Sequence, residues 1–224
     1  MKIAIYGIDS FIGSSISNYF IQHSDYDILG FLTTKGPYQD LEPSLRSKSR
    51  FSYQVATDAD IKSVSARLLI DQPKYIICIG SVPPVLRNRA DTILITSDYT
   101  NTDGKKTLLV PDVFGPRQRI TSGLAKVIVN LDSDEGQPEE KTKSYIYIKD
   151  IFADLQSFLI SDSLFFAVRG IPASETEVAR FLSAYKNQTE YSGNLSQDLR
   201  NGLIHTFDWY RLNTWIRNLK DEPI

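Results

Sequence analysis

The sequence predicts an α/β fold, a doubly wound parallel sheet with a small C-terminal region. Two observations predict it. Short apolar runs of strand character alternate with amphipathic helical patterns over nearly the whole chain, which is typical of parallel sheets covered by helices. The first run, Lys2 to Tyr6, also leads through a glycine-containing turn directly into a helical pattern, as the start of a βα unit does.

Length, composition and charge limit the domain count and the partners. The 224 residues are 42% hydrophobic, which is enough for one substantial core. We therefore predict a single domain with a small C-terminal region. The net charge of -2 gives no electrostatic reason to expect nucleic acid or a membrane surface as a partner.

Cysteine content and hydropathy indicate the compartment. The single cysteine, Cys78, lies in an apolar run and is expected to be a buried hydrophobe, so disulfides and cysteine metal clusters are excluded. No signal peptide precedes the first strand, and no apolar run approaches the ~20 residues that a membrane helix needs. We expect a soluble, cytoplasmic protein.

The turn after the first strand is a candidate nucleotide site. Its pattern, G-x-x-S-x-x-G, has Gly7 first, Ser10 in the middle and Gly13 where the helical pattern begins. In a dinucleotide-binding turn the first glycine reverses the chain, the middle one admits the pyrophosphate, and the last lets helix and strand pack closely. The pyrophosphate is then expected on the N–H groups over Ser10, Phe11, Ile12 and Gly13. A βα turn also needs glycine for packing alone, so both interpretations stay open.

Two further strand ends complete the predicted cofactor site. After the second strand (YDILGFLTT) the chain has Thr33 and Lys35 where nicotinamide-binding folds commonly have a carboxylate for the ribose hydroxyls. Lys35 is either a contact for a 2′-phosphate or a solvated loop lysine. The strand YIICI ends in Gly80 and Ser81, small residues that leave room for a ligand at the carboxyl edge of a parallel sheet.

Five stretches share their order with the motifs of one family: YGIDSFIG, DQPKYIICIGS, VPDVFGPRQ, KSYIYIKDI and ASETEVARFL. The first resembles the GGTGFIG turn of the extended short-chain dehydrogenases, which include nucleotide-sugar epimerases and dehydratases. The second and third are similar to that family's fourth strand and to its N-V-Y-G-P-R-Q segment. The last two are similar to its R-D-F-I-Y-V-D-D-V segment and to the serine-led helix after its late strand.

The resemblance implies a single Rossmann-like domain over 1–224 that binds NAD or NADP. In it, 119–143 and 170–224 are expected to contribute a small substrate-side region that holds a nucleoside-diphosphate sugar. It also implies that Arg117, in the GPRQ segment, and Lys143, in the place of the family's arginine, meet the sugar nucleotide. The alternative for Lys143 is a surface lysine beside an acidic loop. The oligomeric state stays open, with a homodimer as one expectation.

The family's chemistry assigns three candidate catalytic residues. In the family a tyrosine takes a hydroxyl proton from the sugar, helped by a lysine four residues on and by a nearby serine or threonine, while the nicotinamide accepts hydride. The candidates are Tyr99 with Thr96 and Ser97. Asp103 stands four residues after Tyr99, and only ten residues between Ser97 and Leu108 replace the helix that normally carries the pair.

The sequence therefore leaves two functions open. The first is an NAD(P)-dependent epimerase, dehydratase or reductase of nucleotide-sugar metabolism. The second is a catalytically degenerate member that keeps the fold and serves as a binding, regulatory or structural subunit. A metal site is not expected, because His23 and His205 lack spaced partners and the acidic segment 132–140 is typical of a solvated loop.

Overall fold

The computed structural model describes residues 1–33, 45, 47–56, 61–100, 102, 104–118, 123–131 and 138–213. The chain divides into two units, the first formed by Met1–Val110 with Phe152–Val168 and the second by Pro111–Ile151 with Arg169–Ile224. The two segments predicted to form a substrate-side region, 119–143 and 170–224, fall within the second unit.

Helices and strands alternate along most of the described chain. Up to residue 110 the elements are β1 (Lys2–Tyr6), α1 (Phe11–His23), β2 (Asp27–Leu32), β3 (Phe51–Val55), α2 (Ile61–Asp71), β4 (Tyr75–Ile79), a 3₁₀ turn (Pro84–Leu86), β5 (Thr92–Thr96) and β6 (Lys106–Leu109). After residue 110 they are β7 (Asp112–Phe114), α3 (Gly123–Val129), β8 (Thr142–Tyr147), a 3₁₀ turn (Ile148–Asp150), α4 (Ile151–Ile160), β9 (Phe165–Ala167), β10 (Ile171–Ser174), α5 (Glu175–Lys186) and α6 (Gln197–Leu212).

The first unit is built on a seven-stranded sheet with the order β3-β2-β1-β4-β5-β6-β9. Every neighbouring pair in it is parallel, and β1 lies between β2 and β4 with Ile5 opposite Gly30 and Ile77. The three central residues of β1 are buried on both faces of the sheet, which is typical of parallel sheets covered on both sides. The predicted doubly wound parallel sheet is confirmed.

Apolar side chains cover both faces of this sheet. On one face Ala4 and Cys78 share a buried cluster with Val64 and Leu68 of α2. On the other side of the fold α1 meets α4, where the rings of Tyr19 and Phe152 stack with their centroids 4.2 Å apart. Cys78 is therefore the buried hydrophobe that its apolar context predicts, and burial raises the pKa of its thiol to about 12.

The second unit has a three-stranded sheet with the order β10-β8-β7. β8 runs parallel to β7 and antiparallel to β10. Helix α6 packs against this sheet so closely that a Cβ on Gly202 would lie 2.9 Å from the ring of Tyr147 and 3.0 Å from that of Phe114. A glycine at this helical position lets the backbone of α6 approach the two aromatic rings.

The sequence pattern from Thr107 to Phe114 predicts one strand, broken at Pro111, and this prediction is wrong in one respect. β6 ends at Leu109 and joins the large sheet, whereas β7 begins at Asp112 and joins the small one. Pro111 has no N–H to donate to a strand ladder, so the chain leaves one sheet and enters another at this residue. Ser174 and Glu177, three residues apart, predict a capping box at the start of α5, and it is confirmed, since Ser174 accepts a hydrogen bond from the Glu177 N–H.

Candidate functional site

The turn between β1 and α1 is held against the end of β2. Gly7 has a φ of +85°, a left-handed conformation that favours glycine. The N–H groups of Gly7 and Ile8 both donate to the Phe31 carbonyl, at 3.0 and 3.2 Å. The turn and the carboxyl end of β2 therefore form one rigid piece of backbone.

Gly13 packs the first turn of α1 directly onto this backbone. A Cβ at Gly13 would lie 2.3 Å from the Gly7 carbonyl oxygen and 3.0 Å from Ile8 Cα. No rotamer can relieve such a contact, because the atoms that it meets are backbone atoms. Gly13 therefore has the packing role that the last glycine of a dinucleotide-binding turn is expected to have.

Ser10 stands in the place of the middle glycine and caps α1. Its hydroxyl accepts a hydrogen bond from the Gly13 N–H at 3.0 Å and donates to the Gly7 carbonyl at 2.6 Å. Its backbone is extended, with a φ of -83°, so this position does not need glycine. The cap leaves Phe11 and Ile12 as the first helical residues, and their N–H groups have no acceptor within the helix. These are the groups on which an anion at a helix start binds.

Asp9 is a residue that sequence reasoning missed. Its side-chain oxygens lie 3.0 and 3.1 Å from the backbone nitrogen of Thr33, and one of them accepts from the Thr33 hydroxyl at 3.0 Å. Asp9 is only 6% exposed, whereas Thr33 is an exposed residue directly after β2. The cofactor contact predicted for Thr33 stays a prediction, and Lys35 lies outside the described residues. An acidic residue two positions after the first glycine was the available signal.

The end of β4 leaves open space at the carboxyl edge of the sheet. Gly80 has a φ of +83°, and its N–H donates to the Ile95 carbonyl at 2.8 Å. A Cβ on Gly80 would meet no heavy atom of the described residues within 4 Å. Ser81 is exposed next to it. This edge can therefore accept the backbone or ring of a ligand, as the small residues predict.

The three candidate catalytic residues lie at and just beyond the end of β5. Thr96 is 4% exposed, and its hydroxyl accepts from the Asp98 N–H at 3.0 Å. Ser97 is exposed, and Tyr99 is 73% exposed. Asp98 in turn accepts from the Thr100 hydroxyl and N–H, and these two hydrogen bonds lower the pKa of the Asp98 carboxyl. The described residues of this connection form turns and not a helix.

The connection from β5 to β6 is short for a helical crossover. The strands are adjacent and parallel with Lys106 opposite Ile93, so residues 97–105 return the chain by three strand residues, about 10 Å at ~3.3 Å per residue. A crossover between parallel strands that includes a helix ordinarily takes at least about 10–12 residues, because the turns at both ends of the helix need residues of their own. Nine residues are fewer than such a crossover with a Tyr-x-x-x-Lys helix ordinarily takes.

The two lysines that follow Tyr99 have other partners. Lys105 donates to the Arg89 carbonyl at 2.9 Å. Lys106 donates to the carbonyls of Leu159 and Ser161, and its ammonium lies 4.8 Å from the centre of the Phe158 ring. Both ammonium groups are therefore committed to neighbouring elements of the first unit.

In the second unit, Lys143 is neutralised by two carboxylates. Its Nζ lies 3.1 Å from Glu139 Oε2 and 3.3 Å from Glu175 Oε1. The hydrogen bond to Glu139 and the weaker contribution of Glu175 hold the pKa of Lys143 above its usual value. Lys143 is thus engaged by neighbouring carboxylates, and the sugar-nucleotide contact predicted for it stays a prediction.

Arg117 lies beyond the opposite end of the same strand pair. β7 and β8 pair with Phe114 opposite Tyr147, and Arg117 follows Phe114 by three residues in a turn with a φ of +72°. Lys143 is the second residue of β8, four residues or about 13 Å before Tyr147. The structure therefore does not bring the two cations together at one end of the strands.

A tyrosine and a histidine meet near the end of β8, a pair that no motif in the sequence indicates. The Tyr147 hydroxyl lies 3.1 Å from His205 Nδ1. Burial raises the pKa of Tyr147 to about 12, and desolvation together with the charge of Lys149 lowers the pKa of His205. At neutral pH both groups are uncharged, and a hydrogen bond can join them.

Metal and membrane signals are lacking in the part of the chain that the structure describes. There, no three His, Cys, Asp or Glu side chains are grouped so that they could hold a metal ion. Within the same residues no helix has both the length and the apolar character that a membrane crossing requires.

Comparison with solved structures identifies the fold, whereas comparison of sequences finds no match. No protein-family model matches the chain, and no curated protein matches it. dTDP-glucose 4,6-dehydratase from Bacillus anthracis, solved with NAD, matches it with a TM-score of 0.76 at 13% identity, over 98% of this chain and 100% of that one. The chain has the fold of this dehydratase. The fold expected from the resemblance to extended short-chain dehydrogenases is therefore confirmed.

Two epimerases share the same fold. UDP-glucuronic acid 4-epimerase from Bacillus cereus, solved with UDP-glucuronic acid and NAD, has a TM-score of 0.71 at 16% identity, over 98% of this chain and 100% of that one. UDP-N-acetylglucosamine 4-epimerase from Methanobrevibacter ruminantium, solved with UDP-N-acetylmuramic acid, has a TM-score of 0.70 at 13% identity, over 95% and 98%. At such identities the likeness carries the fold and not the chemistry.

Proposed function

We propose that this chain binds NAD or NADP at the carboxyl edge of its seven-stranded sheet and a nucleoside-diphosphate sugar through its second unit, without the family's hydride-transfer turnover. The observation that carries the proposal is the turn from Gly7 to Gly13. It combines a left-handed glycine, a glycine seated on backbone and two N–H groups at the start of a 13-residue helix. This arrangement fits a pyrophosphate by hydrogen bonding and by the helix dipole.

Two further features support a bound dinucleotide. The open space at Gly80 lies at the end of β4, which neighbours β1 in the sheet, so it lies beside the turn at the same edge. The dehydratase and the UDP-glucuronic acid epimerase that share the fold were both solved with NAD. When bound, the nicotinamide would supply hydride acceptance, and the chain's own residues would hold and orient it.

A calorimetric titration tests this function directly. The protein is titrated with NAD, with NADP and with UDP-, dTDP- and GDP-sugars in the presence and absence of dinucleotide. We expect saturable binding of a dinucleotide and of at least one sugar nucleotide. No heat of binding from any dinucleotide would overturn the proposal.

The alternative function, an active epimerase or dehydratase, needs a base. Tyr99 is the only tyrosine between β5 and the GPRQ segment, and it lies on a short, exposed connection. Lys105 and Lys106, the cations nearest to it in sequence, donate to carbonyls elsewhere. A binding or regulatory role therefore agrees better with the residues than turnover does.

We propose that Arg117 and Lys143 bind the sugar nucleotide, and the register of β7 with β8 predicts that their contributions to affinity differ. Because the two residues belong to opposite ends of the β7–β8 pair, we expect one of the two alanine variants to lower affinity for UDP- or dTDP-sugars more than the other. Loss of a charge-assisted hydrogen bond costs about 1.5–3 kcal/mol, or roughly 10- to 150-fold in affinity. The measurement is a titration of Arg117→Ala and Lys143→Ala.

Lys141→Ala serves as the matched control, since Lys141 is an exposed lysine two residues before Lys143. Lys143→Arg is the second comparison, because a guanidinium can bind phosphate with two parallel hydrogen bonds. If Lys143→Ala binds both sugars as the unmodified protein does, Lys143 is only the ion-pair partner of Glu139 and Glu175. The same result for Arg117→Ala would remove Arg117 from the site.

A further inference from the structure

We propose that Asp9 makes the dinucleotide site selective for NAD over NADP, by placing a carboxylate at the end of β2 from the glycine turn. The inference rests on the proposed dinucleotide binding. The observation behind it is the juxtaposition of Asp9 with Thr33, the residue that directly follows β2.

The position of the carboxylate is fixed from both sides. Asp9 is anchored to Thr33 by the backbone N–H and by the hydroxyl, with contacts between 3.0 and 3.3 Å. The turn that carries Asp9 is anchored separately, by the Gly7 and Ile8 N–H groups on the Phe31 carbonyl. Asp9 is also 6% exposed, so its charge is screened little by solvent.

The end of β2 is where such folds distinguish the two dinucleotides. A carboxylate there favours the ribose hydroxyls of NAD, whereas a cation accommodates the 2′-phosphate of NADP. In this sequence no acidic residue follows β2 directly, since the next residues are Thr33, Thr34 and Lys35. Asp9, the third residue of the β1–α1 connection, brings a carboxylate to the same place.

Charge is the basis of the selection. A 2′-phosphate brought next to Asp9 would place two anions together in a poorly screened site, which costs free energy. The ribose hydroxyls of NAD carry no charge and meet no such repulsion. The selection therefore does not depend on how many hydrogen bonds Asp9 accepts.

The experiment compares dissociation constants for NAD and NADP in three proteins. Asp9→Asn keeps the size of the side chain and an oxygen for the Thr33 N–H but removes the charge. Asp27→Asn is the matched control, because it removes a carboxylate from the opposite, amino-terminal end of β2. We expect the unmodified protein and Asp27→Asn to bind NAD at least about tenfold more tightly than NADP, and Asp9→Asn to lose about that factor, equivalent to ~1.4 kcal/mol.

A second pair of probes keeps the test independent of the variant's folding. The unmodified protein is titrated with 5′-AMP and with 2′,5′-ADP, which differ only in the 2′-phosphate. We expect 5′-AMP to bind more tightly. The proposal that Asp9 selects NAD would be overturned by any of three results. These are equal binding of the two fragments, tighter binding of NADP than of NAD, or an NAD-to-NADP affinity ratio that is unchanged in a folded Asp9→Asn. If the unmodified protein binds neither dinucleotide, the proposed function fails and this inference fails with it.

Discussion

Replacing Gly13 by alanine is expected to lower the free energy of unfolding by about 2–3 kcal/mol and to abolish dinucleotide binding. The new Cβ would lie 2.3 Å from the Gly7 carbonyl oxygen, against an ordinary contact of at least 3.4 Å. The backbone must therefore separate by about 1.1 Å, the difference of these two distances. Valine, which is larger and β-branched, is expected to be worse.

The same displacement explains the loss of binding. The N–H groups of Phe11 and Ile12 belong to the first turn of α1, so they move with Gly13. A hydrogen bond of ~3 Å that lengthens by about 1 Å is no longer one. Two charge-assisted bonds lost in this way cost about 3–6 kcal/mol, which is more than 100-fold in affinity. Urea unfolding and titration with NAD and NADP measure the two effects.

Gly30→Ala is the matched control for Gly13→Ala. A Cβ at Gly30, in β2, would also lie too close to a neighbour, at 2.8 Å from Cδ1 and 3.0 Å from Cγ2 of Ile8, but both are terminal methyl carbons of a side chain. A side-chain end can rotate away where a carbonyl cannot, so Gly30→Ala should cost less and should keep dinucleotide binding. If Gly13→Ala unfolds at the same urea concentration as the unmodified protein and binds NAD as tightly, the turn is not the pyrophosphate site.

The parts of the fold that could be predicted have local signals. The run Phe51 to Val55 predicts a short strand and is β3, and the start of α5 follows from Ser174 and Glu177, which stand three residues apart. The turn at Gly7 could be recognised because strand, glycine and helix follow within a dozen residues. In these cases the residues that determine the local structure are close together in the sequence.

The parts that could not be predicted depend on distant partners. The role proposed for Asp9 depends on its hydrogen bonds with Thr33, 24 positions later in the chain, and no periodicity links the two residues. One partner of Lys143 is four residues away, but the other, Glu175, is 32 residues away and arrives through the β8–β10 pairing. The division at Pro111 between two sheets could likewise not be inferred, because each sheet recruits strands from elsewhere in the chain.

The purified protein is expected to show no measurable epimerase or dehydratase turnover, even when it binds dinucleotide and sugar nucleotide. General-base catalysis typically contributes ~10²- to 10⁴-fold, which corresponds to about 3–5 kcal/mol of activation free energy. A phenol with a free pKa of about 10 is a poor base at pH 7 unless a cation stabilises its anion. The family supplies that cation from a lysine one helical turn after the tyrosine, and this chain has Asp103 there.

Loss of positioning adds to loss of the base. Tyr99 is 73% exposed on a nine-residue connection that is shorter than the usual helical crossover, whereas proton transfer requires the reacting groups to be held within hydrogen-bond reach. Lys105 is held by the Arg89 carbonyl and Lys106 by that of Ser161. Either lysine would have to give up its hydrogen bond before it could assist Tyr99.

The assay incubates the protein with NAD or NADP and with UDP-, dTDP- and GDP-sugars, and follows product by chromatography. Tyr99→Phe removes the candidate base, and Tyr53→Phe, on the half-exposed β3, removes a hydroxyl of the same kind from elsewhere in the first unit. We expect no product from the unmodified protein or from either variant. Turnover that survives in Tyr53→Phe and disappears in Tyr99→Phe would contradict the non-catalytic function. It would also mean that Lys105, Lys106 or a lysine of a second chain assists Tyr99, and loss of turnover in Lys105→Ala or Lys106→Ala would identify which lysine of this chain does so.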